Sequence, residues 1–239
     1  MKNLRNLIVI LGLIVLSACS DSDEKIIEEF EDKELSEVMD SFQTKVSEIE
    51  IPTALSNNSD SNAQTTATYF NVVKSYGLIF SAFFNVPENA TSQRLNLAGR
   101  NSATGNTQTY TWSDGTSTIN YTVTELVDRF TFAYEIQSPS YSGKVMDGYS
   151  LKDESRAELN MYDSSTGGSV LSLKWTFINN TATLDVKSSD GSQFILTANP
   201  DNSGNLEIYE NNSLSVKCTW TATGNGTLIN YETGETFTW

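Results

Sequence analysis

From Thr109 to the end, the chain alternates apolar and polar residues in strand-like fashion, and this pattern limits the fold more than any other feature. Ile119, Tyr121 and Val123 alternate with Asn120, Thr122 and Thr124. Phe130, Phe132, Tyr134 and Ile136 alternate with Thr131, Ala133, Glu135 and Gln137. Leu171, Leu173, Trp175 and Phe177 continue the pattern, followed by Ala182, Leu184 and Val186, then by Phe194, Leu196 and Ala198. Successive side chains of a strand point to opposite faces, so each stretch is a strand with one apolar face. Turn-forming residues punctuate the series: "SDG" at 113–115, "STGG" at 165–168, "NN" at 179–180, "SDG" at 189–191, "NPDNSGN" at 199–205, "NN" at 211–212, "TGNG" at 223–226 and "TG" at 233–234. Short strands joined by such turns make an antiparallel meander.

A sheet with one apolar face needs a second layer to cover it. The segment "YFNVVKSYGLIFSAFF" at 69–84, followed by Pro87, supplies one. Tyr69, Val72, Val73, Tyr76, Phe80 and Phe83 share a helical face, and Phe70, Ile79 and Phe84 make the helix apolar nearly all round. Such a helix is stable only when buried, because each large side chain gains roughly 1.5–3 kcal/mol on leaving water. It is short of the roughly 20 residues a membrane span needs, which leaves a membrane-inserting arm as the alternative. The expected fold is therefore mainly β. A meander of about ten strands forms a curved sheet or half-barrel packed on this one apolar helix.

An acidic amphipathic helix is expected before it, over residues 25–50. Leu35, Val38, Met39, Phe42, Val46 and Ile49 form its stripe, extended upstream by Ile26, Ile27 and Phe30 and ended by Pro52. It is either a partner-binding arm or a helix docked on its own domain. "SNNSDSNAQTTAT" at 56–68 has no apolar periodicity and reads as a linker.

The N-terminus has the layout of an export signal: basic Lys2 and Arg5, an apolar run over residues 7–16, then small Ser17 and Ala18. Leu16-Ser17-Ala18-Cys19 resembles the lipobox of bacterial lipoproteins. The resemblance implies that residues 1–18 are removed as a signal peptide and that Cys19 becomes the lipid attachment site, carrying palmitate-like chains. An ordinary cleaved signal with a chance cysteine is the alternative. Asp21, Asp23 and Glu24 resemble the acidic signal that directs some Gram-negative lipoproteins to the outer membrane. Ser20, rather than an aspartate, follows the cysteine. The implied location is the outer membrane, lipid-anchored, on the periplasmic or the cell-surface face with the surface favoured. The chain then divides into the signal at 1–18, an acidic tether with amphipathic helix and linker at 19–68, and a helix-plus-β-meander domain at 69–239.

The expected domain resembles, in architecture alone, the half-barrels of periplasmic lipoprotein carriers and related lipid-binding lipoproteins. The ending "TGETFTW" resembles the C-terminal signal of outer-membrane β-barrels. The short strands, the anchor and the apolar helix argue against an integral barrel, which stays as an alternative.

Composition narrows the function. The formal net charge is −15, and residues 20–50 alone hold twelve carboxylates, so nucleic acid is not an expected partner. The chain has no histidine, which removes Ser-His-Asp and Cys-His catalysis and His-ligated zinc. With Cys19 lipidated, Cys218 has no disulfide partner, and its position in "SVKCTWTA" puts it on an apolar strand face as a structural thiol. "DNSGNLE" at 201–207 has its glycine in the wrong place for an EF-hand loop and reads as a turn. Asp128, Glu135, Asp147, Asp153, Glu154, Glu158 and Asp185 form no recognisable catalytic carboxylate pair. Trp112, Trp175, Trp220 and Trp239 are either core residues or a platform for sugars or acyl chains. "YTWSDGTSTINY" and "CTWTATGNGTLINY" share enough to suggest a repeated hairpin.

No enzyme activity, cofactor or metal is expected. The preferred expectation is a binding module for an apolar small molecule or lipid, with Phe130, Phe132, Tyr134, Trp175 and Phe177 lining the site. The alternatives are an assembly lipoprotein that meets a protein partner through residues 25–50, and a glycan-binding module or carboxylate glycosidase.

Overall fold

A computed structural model describes residues 32–78, 86–95 and 106–239. The export signal with Cys19 lies outside these residues, as do residues 25–31 and the aromatic positions Phe80, Phe83 and Phe84. Three helices precede the sheet: α1 (Asp32–Ser47), α2 (Thr53–Ser56) and α3 (Ser61–Leu78). The first strands are β1 (Thr91–Leu95), β2 (Thr107–Ser113), β3 (Thr118–Glu125), β4 (Arg129–Gln137), β5 (Ser142–Leu151) and β6 (Arg156–Tyr162). They continue with β7 (Ser169–Ile178), β8 (Thr181–Ser188), β9 (Gln193–Ala198), β10 (Gly204–Glu210), β11 (Ser213–Trp220), β12 (Gly226–Asn230) and β13 (Glu235–Thr238).

These thirteen strands form one curved antiparallel sheet in which spatial order follows sequence order. The mainly β meander covered by helices is thus the observed fold. Among the described residues β1 and β13 are free edges, so the sheet is open and not a closed barrel. Strands β1 and β5 are marked by neither a named alternating stretch nor a flanking turn signal, and β6 by the turn that follows it alone.

The turns follow from backbone chemistry. Asn179 and Asn180, and likewise Asn211 and Asn212, all have positive φ, the conformation that lets a two-residue turn match the twist of its strands. Elsewhere an aspartate closes the turn. Asp114 Oδ1 accepts from the backbone N–H of Thr116 and Ser117, and Asp201 Oδ1 accepts from Ser203 N–H. The stretch at 201–207 is therefore the β9–β10 turn running into β10, with its acid already occupied.

Strand register gathers the apolar residues into one inner face. Tyr110, Tyr121, Tyr134, Met146 and Met161 are successive cross-strand partners from β2 to β6. Leu184, Leu196, Leu206, Cys218 and Leu228 do the same from β8 to β12. All ten are buried. The outer face carries threonine pairs that hydrogen-bond across strands, Thr107–Thr124 and Thr109–Thr122 at 3.0 Å and Thr219–Thr227 at 2.7 Å.

Helix α3 lies across the inner face of β8, β9, β10 and β12, and α1 packs on α3 and β5. α3 begins at Ser61, inside the stretch that reads as linker. Asp60 caps it, with Oδ1 accepting from the N–H of Asn62 and Ala63. Its buried residues are Ala63, Thr66, Phe70, Val73 and Gly77. Phe70 and Val73 therefore face the core, whereas Val72, expected on that face, is 42% exposed. The added N-terminal turns carry small core-facing side chains, Ala63 and Thr66, in register with Phe70, Val73 and Gly77. Phe70 meets Trp220 edge-on at 6.2 Å, and Gly77 lets the helix approach Val46 and the Trp175 indole. From α1, Val38, Met39, Phe42 and Val46 are buried, as is Ile49 after it. The docked arrangement is the one adopted. Among the described residues no helix is long and apolar enough to cross a membrane.

Candidate functional site

The expected ligand-lining residues separate into two groups. Trp175 and Phe177 lie on β7 under the helices. The Phe42 ring is 5.6 Å from that of Phe177, the Lys45 ammonium stands 5.6 Å from the same ring, and Trp175 neighbours Gly77. These two residues hold the helices in place. Phe130, Phe132 and Tyr134 lie together on β4, all buried, in the half of the sheet built from β2 to β5.

There the inner face is an aromatic cluster larger than the alternation suggests. Tyr121 and Tyr134 are stacked at 4.3 Å, and Tyr110 stacks on Tyr121 at 5.9 Å. Trp112 meets Tyr134 edge-on at 6.2 Å. Phe132 sits opposite Gly148, where an added Cβ would come within 2.6 Å of its ring, so the glycine makes room for the aromatic ring. Lys152 stands 5.0 Å from the centroid of Phe130 and is paired with Glu125 at 2.5 Å, which puts a polar rim at that end. Burial pushes the Tyr134 hydroxyl well above the usual tyrosine range, so this ring stays neutral at any physiological pH.

Two polar atoms stand out in this apolar setting. Gln108, 3% exposed, and Tyr110, 4% exposed, lie on the inner face of β2. Gln108 Oε1 and the Tyr110 hydroxyl are buried without a hydrogen-bond partner among the described residues. The alternation in "TQTYTW" already gives Gln108 an apolar-face position, and that mismatch is the signal by which sequence reasoning could have found it.

The remaining candidates are engaged elsewhere. Asp147 accepts from Lys144 at 2.8 Å and from the Tyr162 hydroxyl at 3.0 Å. Glu207 is paired with Lys217 at 2.8 Å, and that contact holds its carboxyl below the usual range. Asp185 accepts from Gln193 at 2.7 Å. Glu154, at positive φ in the β5–β6 turn, accepts from Lys45 and Ser41, which lowers its carboxyl and ties α1 to the sheet. Among the described residues no cluster of three or more carboxylate, thiol or imidazole groups could hold a metal ion. Trp175 and Trp220 are buried, and the Trp220 indole N–H donates to the Asn202 carbonyl.

Cys218 is fully buried on the inner face, and burial pushes its thiol up. It should stay unmodified by a thiol reagent at pH 8 for hours in the folded protein and react within minutes in denaturant. Rapid labelling of the native protein would contradict its placement.

The charge pattern also fixes a pH profile. Asp114, Asp163, Asp190 and Asp201 have carboxyls lowered by turn hydrogen bonds, from Ser117 and Thr116, from Ser165, from Ser188 and from Ser203 respectively. A carboxyl lowered on folding adds stability above its unfolded value and loses it as the pH falls through the folded one, so melting temperature should drop below about pH 4. Burial raises Tyr134, Tyr76 and Cys218, whose contributions are present below their unfolded values and fade above about pH 9. With no histidine in the chain, thermal melts should be flat from about pH 5 to 8. A slope of several degrees in that interval would contradict these assignments.

No family model matches the chain, and no curated protein is significantly similar to it.

Proposed function

We propose that the chain is an exported lipoprotein, anchored to the outer membrane through acylated Cys19, whose domain binds an apolar ligand or lipid without catalysing a reaction. The observation that carries the binding reading is the aromatic cluster of the inner face. Tyr110, Trp112, Tyr121 and Tyr134 form one contiguous cluster on β2 to β4, beside the part of the sheet where α1 and α3 pack on β5, β8, β9, β10 and β12. Apolar ligand sites are aromatic-lined and furnished with a few polar groups, and the cluster with Gln108 Oε1 and the Tyr110 hydroxyl beside it supplies both. The assembly alternative is weakened because the apolar stripe of α1 is spent on the domain's own core. A glycan platform is weakened by the burial of Trp175 and Trp220. The lipobox-like start supports the anchor.

Half-buried Trp112 provides the readout. An apolar chain bound at β2 to β4 should shift the tryptophan emission of the protein, and the shift should vanish in Trp112→Phe while Trp175, Trp220 and Trp239 remain. A shift of equal size in Trp112→Phe would place the ligand elsewhere and end this reading. For the anchor, labelled palmitate should enter the wild-type chain in a lipoprotein-processing host and not Cys19→Ser.

A further inference from the structure

The last two hairpins of the sheet are built to one plan. Strands β10 and β12 each open on Gly-x-Leu, with Gly204 and Leu206 in the first and Gly226 and Leu228 in the second. Strand β11 closes on Thr219 and Trp220, and β13 runs into Thr238 and Trp239. The indoles repeat the same geometry. Trp220 Nε1–H donates to the Asn202 carbonyl and Trp239 Nε1–H to the Gly224 carbonyl, each at 2.9 Å and each two residues before the glycine. A Cβ added at Gly204 or Gly226 would strike the Trp220 or the Trp239 ring, so each glycine makes room for the indole of the next strand.

The plan is complete around β11 and incomplete around β13. Gly204 and Leu206 face Trp220 and Cys218 on one side of β11, and Gly226 and Leu228 face the same pair on the other. On β13, Leu228 faces Phe237, and Gly226 and Trp239 exchange two backbone hydrogen bonds at 3.2 Å. Among the described residues no strand takes the other side. Because Trp239 turns its N–H and C=O to β12, Thr236 and Thr238 turn theirs outward. Glu235, Thr236 and Thr238 are exposed, while Phe237 and Trp239 are half-buried against the core. The edge thus offers backbone bonds beside two aromatic side chains, the arrangement used when a peptide adds as a strand. Four residues long and carrying Glu235, it is guarded against strands of arbitrary sequence.

We propose that β13 is a docking edge for an extended segment of a partner protein, which adds antiparallel to β13 as β12 adds to β11. The segment sets a glycine opposite Trp239 and a leucine or similar apolar residue opposite Phe237. The covered edge of β11 shows what the open edge of β13 takes. A second copy of the chain supplies no such strand. Its β13 would bring the charged Glu235 to Trp239, and its β1 reads "TSQRL", without glycine. Its own Gly-x-Leu strands are already paired on both sides. The edge lies at the other end of the strand order from β2 to β4, so this docking is separate from the apolar-ligand reading.

The test uses the chain from residue 20 onward, which keeps every described element, and a fluorescent peptide with the sequence of residues 225–232, "NGTLINYE". That peptide contains the strand that covers β11. Its anisotropy should rise saturably as the protein is added. Thr238→Pro should weaken binding at least tenfold, because proline removes an outward N–H and leaves the β12 ladder intact. Two changes in the peptide should do the same without touching the fold of the protein. One is N-methylation of its threonine, whose N–H would donate to the Thr238 carbonyl. The other is Leu228→Asp, which would set a charge against Phe237. No binding at about 1 mM peptide would overturn the proposal. Binding that survives N-methylation undiminished would overturn it too, because the peptide would not be adding as a strand. Concentration-dependent dimerisation of the wild type that Thr238→Pro abolishes would make a second copy the occupant, and that also overturns it.

Discussion

Gly148→Ala should lower the stability of the protein by about 3 kcal/mol or more, a fall in melting temperature of roughly 6–12 °C for a chain of this size. The cause is local and rigid. A Cβ at position 148 would lie 2.1 Å from the Glu158 carbonyl oxygen and 2.6 Å from the Phe132 ring. The carbonyl belongs to β6 and cannot yield without breaking the β5–β6 ladder, and the ring is held among buried aromatics. Gly168→Ala is the matched control. Its Cβ would meet only the Thr166 hydroxyl at 3.4 Å, so the change should be within about 0.5 kcal/mol of neutral. Calorimetry of the two variants decides the matter, and equal melting temperatures would mean that β5 and β6 are not paired in this register.

Val46→Asp should be more damaging still, costing upwards of about 4 kcal/mol and leaving much of the protein insoluble. Val46 is 0% exposed, wedged where Gly77 brings α3 against α1, and a carboxylate there would be buried with no cation among the neighbours of that contact. Removing residues 1–50 should abolish folding. It deletes Val38, Met39, Phe42, Val46 and Ile49 from the core. Each is worth roughly 1.5–3 kcal/mol, against a total stability of about 5–15 kcal/mol for a typical domain. Lys45→Ala, by contrast, breaks a half-exposed ion pair with Glu154 and should cost less than about 1 kcal/mol. The decisive comparison is between neighbours. If Val46→Asp and Lys45→Ala melted alike, α1 would be a loose tether and not part of the core.

The meander was legible because its turns are chemically explicit. Paired asparagines and aspartate-glycine steps can do little but reverse a strand, and each such signal lies between two observed strands. Strand β5 was hidden because Gly143 and Gly148 interrupt its alternation and a bulge beside Tyr134 shifts its register. Strand β6 does alternate Ala157, Leu159 and Met161, but those residue types are as much at home in a helix, so the pattern passes unnoticed. The first half of α3 looked like a linker since only small Ala63 and Thr66 face inward, and its cap at Asp60 was the available clue.

The apparent hairpin repeat is a lesson in parity. Both "INY" triplets follow a tryptophan in a hairpin, yet Tyr121 is buried at 2% while Tyr231 is 49% exposed. In one hairpin Trp112 pairs with Ile119, and in the other Trp220 pairs with Gly226, so Ile229 falls opposite Lys217 on the outer face. A turn that differs by an odd number of residues turns the whole strand over. The candidate site was half legible for a similar reason. Alternation put Phe130, Phe132 and Tyr134 on one face, but it could not say that Trp175 and Phe177, equally aromatic, would be taken by α1 and α3.

Whether the aromatic half of the sheet holds a ligand is read most directly by native mass spectrometry of the chain from residue 20, purified from a bacterial host. The expected result is a reproducible added mass that organic solvent extracts as an apolar molecule or a lipid, diminished in Trp112→Phe. A clean protein mass under conditions that preserve folding, unchanged after incubation with decanol, would contradict it.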